Sequence, residues 1–138
     1  MHEGYSDRLF LMGRSLGSAP VAELAYHYQD QLNGLVIESG FADSTRLMAM
    51  ASMFGVDVEA DQFAPFSNLN KIKTIRIPTL IIHGELDDLV PVENGKDLYS
   101  GSPSEDKKLL IIPDANHNDI LYQGLDAYFG AIKELIGN

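Results

Sequence analysis

The chain has 138 residues, no cysteine, 45% hydrophobic residues and a net charge of −10 from 20 acidic and 10 basic side chains. That length holds one domain with a real core, and the apolar content excludes a disordered chain. The lack of cysteine excludes disulfides, thiol nucleophiles and thiolate metal sites, and the acidic balance argues against nucleic acid or an anionic membrane surface as partner.

Residues 1–6 form a polar lead-in. No apolar run follows a basic region there, and no stretch approaches the roughly 18 apolar residues of a membrane span. The expectation is a soluble, cytoplasmic protein. Leu9-Phe10-Leu11-Met12 reads as a short buried strand over 8–12. Gly13-Arg14-Ser15-Leu16-Gly17 follows, and then Val21, Leu24, Ala25 and Tyr28 recur with the spacing of one face of a helix over 16–30. A strand that turns straight into a helix strains the backbone of the apex residue and exposes its side chain. Ser15 is that residue. Gly13 and Gly17 are read as making room for the helix against the strand. The Leu16 N–H, at the helix start, is the candidate oxyanion donor.

Gln31-Leu32-Asn33-Gly34 is a turn, and Leu35-Val36-Ile37-Glu38 is a second strand. Strand, helix and strand within about 30 residues make a βαβ unit, which implies a parallel sheet. Residues 41–70 read as a helical, cap-like insertion. Leu47, Met50, Met53 and Phe54 share a helical face within it, an acidic stretch covers 57–61, and a turn covers 65–68. Met50, Met53 and Phe54 either line an adaptable acyl pocket or simply cover the sheet. The third strand is Thr79–His83, followed by a loop over 84–91 and a helix over 92–99. A polar loop over 100–106 leads to the fourth strand, 107–112, and a loop over 113–118. In the closing helix, 120–136, Leu125, Phe129, Ile132 and Ile136 are expected to face the sheet.

In a parallel sheet every loop that follows a strand lies on the same edge. A serine nucleophile needs a base, and the base needs a carboxylate to fix its tautomer. The loop after the third strand holds Asp87 and Asp88, and the loop after the fourth holds His117. His2 is terminal, His27 lies on the elbow helix, and His83 ends a strand, where packing or a local hydrogen bond is its expected part. Asp114 and Asp119 could orient His117 instead, although such loop carboxylates usually form turns. No two histidines share a helix face or a short loop, so neither a metal nor a cofactor is expected.

Three segments carry a resemblance: Gly-Arg-Ser-Leu-Gly at 13–17, Ile-His-Gly-Glu-Leu-Asp-Asp-Leu-Val-Pro at 82–91, and Ala-Asn-His-Asn-Asp at 115–119. In this order the chain resembles the α/β-hydrolases of the esterase, thioesterase and serine-peptidase type. The resemblance implies a catalytic triad of Ser15, Asp87 and His117, with Asp88 the alternative acid. It implies acyl-enzyme hydrolysis of an ester, thioester or amide, with a small acyl substrate. A full domain of that family has eight strands, and its elbow follows strand five. This chain resembles only strands five to eight and their helices, a partial α/β fold without the loop that carries the second oxyanion donor. Residues 8–12 would then form an unprotected edge. The expectation is a homo-oligomer paired through that edge, or a partner-dependent half-domain that needs an upstream polypeptide and acts as an interaction module.

Overall fold

β-branched residues and leucine dominate the runs after Gly34 and Thr79, and both faces of such a strand must find apolar neighbours. Both runs are strands buried along their whole length. The computed structural model describes residues 7–57, 59 and 67–137, apart from the side chain of Arg46. Among these, strands β1 (Phe10–Arg14), β2 (Gly34–Glu38), β3 (Thr79–Gly84) and β4 (Lys107–Ile112) form one parallel sheet in the order β1-β2-β3-β4. β1 lies further along the chain than the expected 8–12. Its pairing runs on through Gly13↔Ile37 and Arg14↔Glu38, up to the serine itself.

Among the described residues the helices are α1 (Ser18–Tyr28), α2 (Ser44–Met53), α3 (Asn68–Ile72), α4 (Glu93–Gly101) and α5 (Ile120–Gly137). The expected helix over 16–30 is α1 with a 3-10 turn at each end, Ser15–Gly17 and Gln29–Gln31. Asp43 and Ser67 cap α2 and α3 by accepting the N–H groups of Thr45 and Asn70. Of the acidic stretch 57–61, residues 58, 60 and 61 lie outside the described residues, and of the turn 65–68, residues 65 and 66 do.

The two-residue period of the strands divides the core. Leu35, Ile37 and Ile81 pack with Val21 and Ala25 of α1, Ile72 of α3 and Leu98 of α4. Val36, Leu80 and Ile82 face the other way, onto Ile120, Tyr128, Ala131 and Leu135 of α5. The fold is a three-layer α/β arrangement, with its strand-to-helix loops gathered on one edge.

Two expected helix faces are corrected. On α5 the line against the sheet is Ile120, Tyr128, Ala131 and Leu135, with the half-buried Ile132 packed beside it as expected, whereas Leu125, Phe129 and Ile136 are exposed. The helix bends at Gly124 (φ −142°, ψ 38°), where a Cβ would stand 2.6 Å from Ile112 Cγ2. The kink breaks the register of a helix with apolar residues on several sides, so periodicity alone could not choose its face. On α1 the small residues Ser18, Ala22 and Ala25 are buried with Val21, and the larger Leu24 and Tyr28 are exposed.

Only one of the two elbow glycines makes room for the helix. A Cβ on Gly13 would stand 2.3 Å from the Gly17 carbonyl oxygen and 2.4 Å from Val21 Cγ2. A Cβ on Gly17 meets nothing within 4 Å, and its backbone is ordinary right-handed helix (φ −63°). Gly13→Ala is therefore expected to cost about 1–3 kcal/mol by overpacking. Gly17→Ala is expected to be neutral or to stabilise by up to about 1 kcal/mol by restricting the unfolded chain. Thermal melts of the two variants test the contrast, and equal losses of Tm would refute it.

Candidate active site

Three residues other than glycine have a left-handed backbone among the described residues: Ser15 (φ 53°), Ser39 (φ 49°) and Asp114 (φ 60°). All three sit where the chain leaves a strand at the carboxyl edge of the sheet, β1, β2 and β4 respectively. Strain of this kind persists only where its surroundings over-determine it. At Ser15 the support is visible. The buried Ser18 hydroxyl donates to the Ser15 carbonyl at 2.6 Å and accepts from the Asn68 side-chain amide at 3.0 Å. Asn68 also donates to the Phe41 carbonyl at 2.9 Å, so the start of α3 and the segment after β2 lock the turn from beneath. Neither Ser18 nor Asn68 was singled out in the sequence, because no local pattern marks a polar group that is buried by tertiary packing.

The loops after β3 and β4 lie against each other. Gly84 is the reason they can, since a Cβ there would stand 2.5 Å from the Ala115 carbonyl oxygen. The Leu86 N–H donates to that carbonyl at 2.8 Å, and the Asp114 N–H donates to Glu85 Oε2 at 3.1 Å. This stitching brings Asp87 to His117, with His117 Nδ1 2.8 Å from Asp87 Oδ2. His117 Nε2 lies 2.9 Å from Ser15 Oγ. With Nδ1–H donating to the carboxylate, Nε2 is free to accept the serine proton. Asp87 and His117 are both buried, and Ser15 is partly exposed.

The other carboxylates stand elsewhere. Asp88 is exposed, Asp119 folds its own loop by accepting the Asn116 N–H, and His117 Nδ1 points to Asp87 rather than to Asp114. Asp87 is also the better-held acid, because its Oδ1 accepts the N–H groups of Leu89 (3.1 Å) and Val90 (2.8 Å). His83 is fully buried and donates from Nε2 to the Val90 carbonyl at 2.7 Å, the local hydrogen bond expected of it. Its Nδ1 has no partner and faces Gly95, whose Cβ would stand 2.8 Å away. Burial holds the His83 pKa below the usual imidazole range, against the opposing pulls of the Val90 carbonyl, Asp87 and Glu93.

Leu16 follows Ser15 in the 3-10 turn, with its side chain exposed. Met50 and Met53 line a hollow of about 200 Å³ with Ala49, Asp88 and Leu89, beside the loop that carries Asp87. Phe54, at the end of α2, is 79% exposed and lies outside that lining. A further cluster escaped the sequence reading. The Arg14 guanidinium donates to the His117 carbonyl and, from Nε, to Glu38 Oε1 at 3.3 Å, while the Tyr128 hydroxyl donates to Glu38 Oε2 at 3.0 Å. The signal that could have found it was Glu38 itself, a carboxylate ending a strand that is otherwise wholly apolar after Gly34.

The sequence matches the prolyl oligopeptidase family over residues 3–128. The chain belongs to that family. Its relatives include the uncharacterized protein YfhR of Escherichia coli K12, 32% identical over 114 residues, which span 81% of this chain and 39% of YfhR. The α/β hydrolase domain-containing protein aho-3 of Caenorhabditis elegans is 27% identical over 114 residues, 83% of this chain and 32% of that protein. Among solved structures, an esterase of Pyrococcus furiosus superposes with a TM-score of 0.72 at 20% identity, covering 96% of this chain and 54% of the esterase. The monoacylglycerol lipase of Paleococcus ferrophilus gives a TM-score of 0.70 at 19% identity, covering 95% of this chain and 69% of the lipase. These superpositions place this member of the prolyl oligopeptidase family in the α/β-hydrolase fold, as a partial version of it. The chain spans under half the length of the curated relatives it matches. Among the described residues no helix is long and apolar enough to cross a membrane.

The buried His83 gives a pH prediction. Its folded pKa lies below the unfolded one, so the unfolded chain takes up the proton first. The stability tied to His83 is present above about pH 6.5 and is lost as the pH falls below that value. Wild type is expected to lose more Tm between pH 7.5 and 5 than His83→Gln; parallel curves would show that His83 contributes nothing to the acid sensitivity.

Proposed function

We propose that this chain carries the catalytic half of a serine hydrolase that cleaves an ester, thioester or amide through an acyl-enzyme. The observation that carries the reading is the unbroken relay from Ser15 Oγ through His117 to Asp87, at 2.9 and 2.8 Å, on a serine held in a left-handed turn. Ser15 Oγ attacks the substrate carbonyl as its proton passes to His117 Nε2. The imidazolium that forms is stabilised by Asp87, whose second oxygen is occupied by two backbone N–H groups. The Leu16 N–H is the donor assigned to the developing oxyanion in this reading. His117 then hands its proton to the leaving group. Water, deprotonated by the same imidazole, releases the acid and restores Ser15. The hollow beside Met50 and Met53 suits a short neutral acyl group, and the esterase and lipase among the structural relatives favour an ester.

A fluorophosphonate probe is expected to label wild type and not Ser15→Ala. p-Nitrophenyl esters of increasing chain length are expected to show turnover that Ser15→Ala or His117→Ala lowers by about 10³-fold or more. Folded wild-type protein that neither labels nor turns over would overturn the reading.

A second reading concerns partners. β1 is an edge strand: Leu9, just before it, is 54% exposed, Met12 within it is 46% exposed, and the exposed Leu121 of α5 lines a hollow together with Met12. An apolar edge of this kind is a template for pairing. In this reading the chain pairs with a second copy through β1, and an upstream polypeptide of the same fold is the alternative occupant. Light scattering at micromolar concentration is expected to give a multiple of 15.2 kDa, returning to 15.2 kDa in Met12→Lys. A wild-type mass of one chain would refute self-pairing.

A further inference from the structure

Ser15 and His117 leave opposite margins of the sheet. β1 and β4 are its outer strands, with β2 and β3 between them. Three inter-strand spacings separate their ends by roughly 14 Å. The loop after β4 must therefore reach back across β3 and β2 to bring an imidazole to the end of β1. The bond from His117 to Asp87 covers only the first part of that distance, because Asp87 follows the neighbouring strand β3. A hold from the β1 side is needed if His117 Nε2 is to stay within 2.9 Å of Ser15 Oγ.

Arg14 supplies one. It is the last residue of β1 and the chain neighbour of Ser15, and its guanidinium donates to the main-chain carbonyl of His117. The register Arg14↔Glu38 sets the guanidinium beside a carboxylate that is only 4% exposed. A buried carboxylate must be paired, and Glu38 is paired on both oxygens, to Arg14 Nε on one and to the Tyr128 hydroxyl on the other. Burial and the Glu38 charge push the Tyr128 pKa up, so the hydroxyl stays protonated and keeps donating. The planar fork of arginine can hold a carboxylate from Nε and a carbonyl from a terminal nitrogen in one fixed geometry; a lysine ammonium cannot.

We propose that Arg14, seated by Glu38 and Tyr128, is a positioning residue: it clasps the main chain of His117 and so fixes the base over the nucleophile that follows Arg14 in the chain. The clasp ties the two outer strands and α5 together at the point where the relay closes. This rests on the hydrolase reading, since a positioned base matters only if Ser15 is the nucleophile.

The test compares wild type, Arg14→Met and the double variant Arg14→Met/Glu38→Gln. The double variant leaves no orphaned carboxylate if the single one folds poorly. Fluorophosphonate labelling is expected to slow by about tenfold to a hundredfold in both, the scale expected of a small misplacement of a reacting group. On a p-nitrophenyl ester kcat is expected to fall with KM unchanged. The downfield proton resonance of His117 Nδ1–H, sharp in wild type, is expected to broaden or vanish in both variants. Labelling and kcat at wild-type level in a folded variant would overturn the proposal. If wild type itself does not label, the hydrolase reading fails and the resonance alone decides the clasp: loss in the variants supports it, and an unchanged signal overturns it.

Discussion

The constraint on which everything else rests is the one-residue turn at Ser15, where β1 ends and the chain coils into α1. A left-handed serine costs about 1–2 kcal/mol against an ordinary conformation. It is held from several directions: the absent side chain of Gly13 lets the turn close over Val21, the Ser18 hydroxyl fixes the Ser15 carbonyl, and Asn68 fixes Ser18. The strained turn is thus a product of the sheet register, α1 and the start of α3 together. None of these segments alone would hold it.

A parallel sheet gathers the remaining groups on the same edge, but it does not bring them into contact. That needs loops able to lie closer than side chains normally allow. Gly84 admits the Ala115 carbonyl, and Gly95 admits the ring of His83. Val90 then acts as a hub, giving its N–H to Asp87 and taking a hydrogen bond from His83 on its carbonyl. Asp87 is therefore oriented by two peptide N–H groups and buried, where a carboxylate interacts most strongly with a neighbouring charge. The buried polar network costs desolvation at every member, and nearly every member is satisfied; the unpartnered His83 Nδ1 and Asn68 Oδ1 are two of the exceptions among the described residues.

The outer surface tells of a different balance. The sheet core is closed on both faces at β2 and β3, yet Met12 of the edge strand β1, Leu24 and Tyr28 of α1, and Leu121, Leu125 and Phe129 of α5 are exposed to solvent. Exposed apolar residues at an unpaired strand are surface that a further strand would cover. An edge strand with exposed apolar residues agrees with a chain spanning only part of its relatives' length.

The sequence by itself determined the strands, their parallel sense and the loops that carry the serine, the acid and the base. Each of those depends on local chemistry: an apolar run with period two or fully buried, a glycine-flanked serine, and a carboxylate or histidine just past a strand. The tertiary structure alone decided which faces of α1 and α5 turn inward, because both helices carry apolar residues on more than one side and the choice falls to contacts such as Gly124 on Ile112. It also set Asp87, the carboxylate the resemblance already implied, against His117, found the Ser18–Asn68 support, and joined Arg14 to a carbonyl 103 residues away in the chain. Those are contacts between groups distant in sequence, and no periodicity or spacing encodes a partner that only folding brings within hydrogen-bond reach.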